Sequence, residues 1–541
     1  MPRWALPLLV SLALVVGLAA WYQATRTPAG GDPPSPGPTT ARVQAETEPL
    51  LKDWPHDQLT LVLSGEQHGY LEPCGCSETQ SGGYSRRADL LRQMTKRGFH
   101  PVALDLGGLV RRRREQSRLK YQTMLAALGE MAYVAVGIGP EDLALGADFL
   151  LSQGTAAETD AVDAVDDVDD IDDVDDVDDI LDAEKPRPPS ESTRPPLLGA
   201  NVRLFDSDDL PGAPIASRLV KANRHTIGIT AILDPVLGKS LEATGALDDV
   251  TIRPPQDVLP EVIDSLIDRG ATFLVLLSHA PLENSIELAR RFPRFNLVVS
   301  AGGPEDPLTN NPRQVGNTTV LSVGQKGKYA GVVGIGPPGK QPSVRFELVN
   351  LDDQRFTDHP KMTQVMKTYQ QTLEQLDLAA AMLPLDTSGN RRFIGSEQCG
   401  QCHTKALAKW KKTPHADAFE SLLRGRKGQE HNWVPRTFDA ECLACHVTGW
   451  EPQEVLPFKS GFVDRNTSAH LLGNGCENCH GPGDRHVELI EAGQLEQALL
   501  EVRVTLEQAR RKTCIACHDL DNSPKFDFET YWPRIAHPGR D

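Results

Sequence analysis

The 541-residue chain is predicted to fold as an α/β domain followed by a separate, mainly helical domain. Three observations lead there. From residue 58 to about residue 350, apolar strand-like runs alternate with amphipathic helical stretches. The run Thr159–Asp182, with 13 Asp and no basic residue, interrupts that pattern without contributing to it. Beyond residue 393 the composition changes, with eight of the ten cysteines and nine of the fifteen histidines in the last 149 residues.

Taken in order, the chain opens with Arg3 and the charge-free apolar run Trp4–Tyr22. At about 1.5 Å per residue this run nearly spans a hydrocarbon core of about 30 Å, and it is long for a signal-peptide core. No clean small-residue cleavage site follows. Residues 1–25 are therefore expected to anchor the chain in the membrane, with a cleaved signal peptide as the alternative. Either way the bulk of the chain is expected on the periplasmic side of the inner membrane. The Pro/Gly-rich stretch within residues 26–57 reads as a flexible tether.

Within residues 58–350, Gln58–Ser64, Pro101–Gly107, Thr272–Ser278 and Phe295–Ala301 read as buried strands. Tyr84–Gly98 and Gln256–Gly270 read as helices between them. The Asp run and the Pro-rich segment after it form an insertion, residues 155–196, too charged to pack and expected to be disordered. Carboxylates are hard ligands for calcium, but no Gly-bearing loop gathers these around one point. Removing the run takes the formal charge from −18 to about −5, ordinary for a soluble protein. No basic helix or basic-aromatic stripe is present, which excludes nucleic acid as a partner. The one basic cluster, Arg111–Arg114, reads as a solvated helix start. A helical connector, residues 351–392 with a helix over Lys361–Leu383, leads into the last domain, residues 393–541.

That domain spells C-x-x-C-H four times: Cys399/Cys402/His403, Cys442/Cys445/His446, Cys476/Cys479/His480 and Cys514/Cys517/His518. Two thiols three positions apart add across the two vinyl groups of one haem, and the next His lies under its iron. Paired C-x-x-C units also bind zinc, but zinc ribbons have no use for a His in the fifth position every time. A disulfide framework leaves the same four histidines unexplained. Four covalently attached haem c groups are the expectation, with the porphyrins forming much of the core, so that the domain does not fold without them. The sixth ligands are to be sought among His415, His431, His470, His486 and His537.

The stretches FIGSEQCGQCHTKALAKWKKTPHADAF, FDAECLACHVTGW and GCENCHGPGDRHV resemble the cytochrome c-554 / c-prime family of multihaem cytochromes. The resemblance implies two histidines on most of the irons, with His415 and His486 matching histidines of the family's motifs. His470 and His537 are further candidates. The family also includes members with one five-coordinate haem, so an open iron stays among the alternatives.

Residues 58–350 resemble the metallophosphoesterase domain of the secreted 5′-nucleotidase family, which implies a calcineurin-like sandwich. LTLVLSGEQHGYLEP with GGYSRRADLL, LDLGG, LGEMAYVAVGIGPEDLALG, LLGANV, LVLLSHAP and NLVVSAGGPEDPL follow that family's segments in order. By this resemblance His68, Asp105 and His279 keep ligand positions. The family's turn Asp is Glu66, its bridging Asp is Gly108, its Asn-His pair is Pro140-Glu141, and its G-H-x-H is Gly302-x-Pro304. A two-metal phosphoesterase needs carboxylates and imidazoles around both ions, so the dinuclear site is expected to be lost. Glu141 and Asp142 remain as residues from which a one-metal site would be rebuilt. Cys74 and Cys76 follow His68 and lack the spacing for haem. A strained disulfide, a turn without function, and a softer-metal site shared with His68 and Asp105 all stay open.

The function expected is electron transfer by a membrane-tethered tetrahaem cytochrome that exchanges electrons with redox partner proteins, its phosphoesterase-like domain inactive. Two alternatives remain: a redox enzyme for a small nitrogen or sulfur species at an open haem, and an active phosphohydrolase fused to a cytochrome. A pyridine haemochrome assay with intact-mass measurement is expected to return four haems per chain. Fewer would contradict the reading of the four motifs.

Overall fold

The computed structural model describes residues 49–73, 81–154, 162–163, 194–207, 210–242, 247–310, 312–339, 342–425, 430 and 433–537. The predicted anchor, most of the linker and insertion, Cys74, Cys76 and His431 lie outside them. Among the described residues no helix is long and apolar enough to cross a membrane. The chain divides into Met1–Lys52, of which a turn at residues 49–52 is described, and Asp53–Asp541, which contains everything below.

The strands of the α/β part are β1 (Leu59–Ser64), β2 (Pro101–Asp105), β3 (Tyr133–Val136), β4 (Val162–Asp163), β5 (Val202–Leu204), β6 (Ser217–Ala222), β7 (His225–Leu233), β8 (Val250–Ile252), β9 (Phe273–Pro281), β10 (Leu297–Gly302), β11 (Arg313–Val315), β12 (Thr318–Ser322), β13 (Tyr329–Ile335) and β14 (Val344–Asn350). They form a five-stranded sheet, β14-β13-β1-β2-β3, and a seven-stranded sheet, β11-β12-β10-β9-β7-β6-β4; β5 and β8 pair separately. Because successive side chains of a strand point to opposite faces, Leu59, Leu61 and Leu63 of β1 share one core with Ile227, Ile229, Phe273 and Val275 of the other sheet. The alternate residues Leu274, Leu276 and Val298 pack outward with Leu259, Ile263 and Ile286 of helices Pro255–Asp268 and Leu282–Arg291. Helices Tyr84–Lys96 and Glu115–Glu130 cover the five-stranded sheet, so the part is a sandwich of two sheets with helices outside. Registers Ser64↔Asp105 and Leu233↔His279 bring the C-terminal strand ends, where ligands of such sheets usually bind, to one edge.

The connector helix, Pro360–Leu376, ends sooner than the sequence suggests. Asp377 takes the left-handed conformation (φ 44°) and its N–H caps Leu373 O, closing the last turn. The face Met362, Met366, Tyr369 and Leu373 is buried on the α/β part.

The C-terminal part consists of short helices, with one modest apolar cluster around Phe419, Leu443, Val447, Trp450 and Phe462. It meets the α/β part along a polar seam. Lys120 Nζ lies 2.5 Å from Glu441 Oε2, and Arg114 Nη1 donates to Val455 O at 2.6 Å. Arg112 is paired to Glu441 at 3.4 Å, and Lys326 bonds Asp521. Arg111–Arg114 do precede a helix, Glu115–Glu130, and Arg111 and Arg113 are exposed, but Arg112 and Arg114 bond residues more than 300 positions along the chain, beyond any local pattern.

Phe273 is fully buried between the two sheets. Phe273→Ala is expected to lower the unfolding free energy by about 3–5 kcal/mol, read by denaturant titration.

Candidate functional site

Two regions of the sequence promised chemistry, and both can be built from their residues. In the α/β part, β1 hands over to a turn in which Glu66 and His68 both adopt positive φ (52° and 50°), a region costly for side-chain-bearing residues. The turn is held to the loop after β2, with Glu66 N donating to Gly107 O (2.8 Å) and His68 N to Gly108 O (3.0 Å). The Glu66 carboxylate stands between two imidazoles. Its Oε1 is 2.9 Å from His279 Nε2 and its Oε2 is 3.1 Å from His68 Nε2.

Gly108 makes that arrangement possible, since a Cβ there would fall 2.4 Å from Glu66 Oε1. The Glu66 side chain folds into the space a side chain at position 108 would need. Burial pushes the Glu66 carboxyl up, but His279 and then His68 outweigh this and hold it at about 2. Burial likewise disfavours the charged His279, yet Glu66, helped by Asp142 and Glu141, raises it to about 9. His68, also opposed by burial, is raised chiefly by Glu66.

Asp105 stands apart from this group. It accepts from Ser64 Oγ (2.5 Å) and Gly107 N (2.9 Å), and lies 3.7 Å from the guanidinium of Arg87. Arg87 is wholly buried and also donates to Ser64 Oγ and Gln67 Oε1. Asp142, pushed up to about 7 by burial, accepts from the backbone N–H groups of Gly108, Leu109 and Gly139 at 2.7–2.9 Å. Its oxygens thereby brace the loop. Among the described residues no three His, Cys, Asp or Glu side chains are arranged to hold a metal ion. Arg87 and Gln67 were not singled out by the sequence, because nothing in a helical R-R-A-D-L-L marks which arginine turns inward.

In the C-terminal part, three pairs of imidazoles face one another, His403 with His486, His415 with His518 and His480 with His537, their ring centres 6.3, 5.9 and 6.0 Å apart. Two imidazoles bound from opposite sides of one metal, each nitrogen about 2 Å from it, place their ring centres roughly 6 Å apart. Several Nδ1 atoms are engaged by the protein: His446 by Ala418 O (2.7 Å), His480 by Val502 O (2.7 Å), His486 by Ala498 O (2.8 Å), His518 by Ser523 Oγ (3.1 Å). Such bonds set the tautomer that leaves Nε2 free for iron. The residues present therefore fit haem. No described imidazole faces His446, and His470 lies exposed on the turn Ala469–Leu471 without an imidazole opposite.

The side chains of Cys399 and Cys476 lie close together, as do those of Cys445 and Cys517, so first and third motifs are neighbours, and so are second and fourth. A cavity of about 850 Å³ is lined by Cys479, His480, Cys514, Cys517, His518 and Trp532 among others. Cys402 is exposed and the other seven motif cysteines are partly buried.

Residues 398–481 match the sequence model of the family described as cytochrome c554 and c-prime. The C-terminal part is a cytochrome c region, and the match implies covalently bound haem c. The chain is 36% identical over 117 residues to cytochrome c-554 of Nitrosomonas europaea, covering 20% of this chain and 47% of that one. It thus spans about half the length of that curated relative. Among solved structures it is similar to a 5′-nucleotidase precursor from Thermus thermophilus (17% identity, 59% of each chain, TM-score 0.45). It is also similar to the NAD nucleotidase NadN of Haemophilus influenzae (16% identity, 63% of this chain and 64% of that one, TM-score 0.45).

The His68–Glu66–His279 ion pairs carry a pH signature. The raised His279 contributes stability in full below its usual 6.5, lost as pH climbs through about 9. The depressed Glu66 contributes above its usual 4.5, lost as pH falls through about 2. The stability difference between wild type and Glu66→Gln is expected to plateau between those usual values and shrink on either side. Denaturant titrations across pH check this, and a pH-independent difference would contradict it.

Proposed function

We propose that the protein is an exported electron carrier with four haem c groups, three of them held by two histidines each and one by His446 alone. The observation that carries this reading is the set of three imidazole pairs at one-iron spacing, each containing one C-x-x-C-H histidine. Haem, when bound, supplies a one-electron couple. The chain's own residues do the rest. Cys399/Cys402, Cys442/Cys445, Cys476/Cys479 and Cys514/Cys517 tether the porphyrins. His403/His486, His415/His518 and His480/His537 would each hold one iron, which would then keep no position for an outside ligand. The closeness of the first motif to the third and of the second to the fourth supports two close haem pairs, a layout suited to electron hopping.

The N-terminal apolar run supports attachment at the periplasmic face of the membrane, where a redox protein would dock. A second reading follows from His446: an iron with one protein ligand binds a small molecule, so a redox activity on a small nitrogen or sulfur species would belong to this haem. In the α/β part, the ion pairs engage the donor atoms of Glu66, His68 and His279, and we read that part as a non-hydrolytic scaffold.

The ferric protein is expected to show low-spin signals from three haems and a high-spin signal from one in its EPR spectrum. Four low-spin haems would remove the open site, and His431 would then be tested as the missing ligand. Phosphoester and nucleotide assays after incubation with divalent metals are expected to stay at the blank rate. Hydrolysis abolished by His279→Ala would overturn the scaffold reading.

A further inference from the structure

The helix that carries the second haem motif, Ala440–His446, is not held by the cytochrome part alone. Its N-cap, Asp439, is buried and accepts from Glu441 N at 3.0 Å. Its two carboxylate oxygens each receive a further bond from outside that part. Gln116 Nε2, on the α/β helix Glu115–Glu130, donates to Oδ1 at 2.7 Å, and Gln370 Nε2, on the connector helix Pro360–Leu376, donates to Oδ2 at 3.1 Å. One turn further along the α/β helix, buried Lys120 reaches Glu441 Oε2 at 2.5 Å, and Arg112 reaches Oε1 at 3.4 Å. Gln116, Lys120 and Gln370 are all less than a tenth exposed.

The other motifs are seated differently. The first and third rely on cytochrome residues, with Glu477 accepting from Ile394 N, Gly395 N and Gly483 N, and Ser396 Oγ accepting from Cys476 N. The fourth meets the α/β part three residues beyond His518, through Asp521 with Lys326. Only at the second motif, among the described residues, do buried polar side chains of the other part converge on the first turn of the haem-bearing helix. A buried polar group left without its partner is costly, so the bonds to Asp439 and Glu441 favour this arrangement of the junction.

We propose that the α/β part forms a section of the second haem site. Gln116 and Gln370 are positioning residues that fix the Asp439 cap and hence the direction of the helix carrying Cys442, Cys445 and His446. Lys120 is a positioning residue with an added electrostatic role. Its ammonium, adjacent to Glu441 and one residue from the haem-bearing Cys442, disfavours the ferric state relative to the ferrous one. The fused phosphoesterase-like fold thereby tunes one haem of four. The inference rests on the haem reading above and goes beyond it.

The test uses the full chain. Lys120→Met removes the charge and keeps the apolar stem, leaving Glu441 paired with Arg112 alone. Spectropotentiometric titration is expected to show the midpoint of one haem moved to lower potential and the other three unmoved, with Lys120→Arg restoring it. Lys326→Met, beside the fourth motif, is expected to leave the haem that Lys120→Met shifts unmoved. Unchanged midpoints in Lys120→Met, or equal shifts in all four, would overturn the proposal. If Lys120→Met assembles fewer than four haems, Gln116→Leu with Gln370→Leu is read instead; this pair removes hydrogen bonds and no charge. Altered ferric EPR signals from one haem are expected, and signals identical to wild type overturn the proposal. A pyridine haemochrome count on the wild type separates failure of the haem reading from failure of this one.

Discussion

Three pairs of imidazoles stand with ring centres 5.9–6.3 Å apart, the spacing two ligands of one iron would need, and these pairs tie the short C-terminal helices to one another. The histidines that meet come from different helices: His403 before Thr404–Trp410 faces His486 in Asp484–Glu491, and His480 at the end of Cys476–His480 faces His537 after Phe528–Ile535. Helices this short have little stability alone. The apolar cluster around Leu443 and Phe462 is modest for so many of them. Under the proposed haem reading, porphyrin surface would supply the remaining core. Second-side bonds from Ala418 O, Val502 O and Ala498 O orient the rings before any metal is considered.

The α/β part meets a related electrostatic problem with different means. A dinuclear metal site gathers negative side chains around cations. Here Glu66 sits between two imidazoles that it helps to protonate, and Arg87 lies beside Asp105. Protein cations therefore balance the carboxylates that remain. Gly108 is the enabling position, because its absent side chain leaves room for the longer acid. Asp142, the other candidate for rebuilding a metal site, is committed to three backbone amides and braces the same loop.

The seam joins the two parts through several hydrogen bonds and ion pairs, some of them buried, which is unlike a flexible linker between independent modules. Asp439 alone receives bonds from the α/β helix, the connector helix and its own helix. Buried ion pairs of this kind contribute specificity of arrangement more dependably than net stability. Relative motion of the two parts would break them together.

Apolar runs were enough to locate β1, β2, β9 and β10 within a few residues, because a buried strand is a local pattern. The four C-x-x-C-H motifs were equally legible, since haem attachment demands a spacing that covalent geometry sets within five residues. What the sequence by itself determined is thus attached to short spans: the four C-x-x-C-H motifs, and residues without metal-ligating side chains at Gly108 and Pro304. Tertiary structure alone decided which histidines meet, that Glu66 rather than Asp105 joins His68 and His279, and that Arg112 and Arg114 face the cytochrome part. Most of those outcomes depend on side chains tens to hundreds of residues apart arriving within a few ångströms of one another. No local spacing encodes such a distance; packing of the whole chain does.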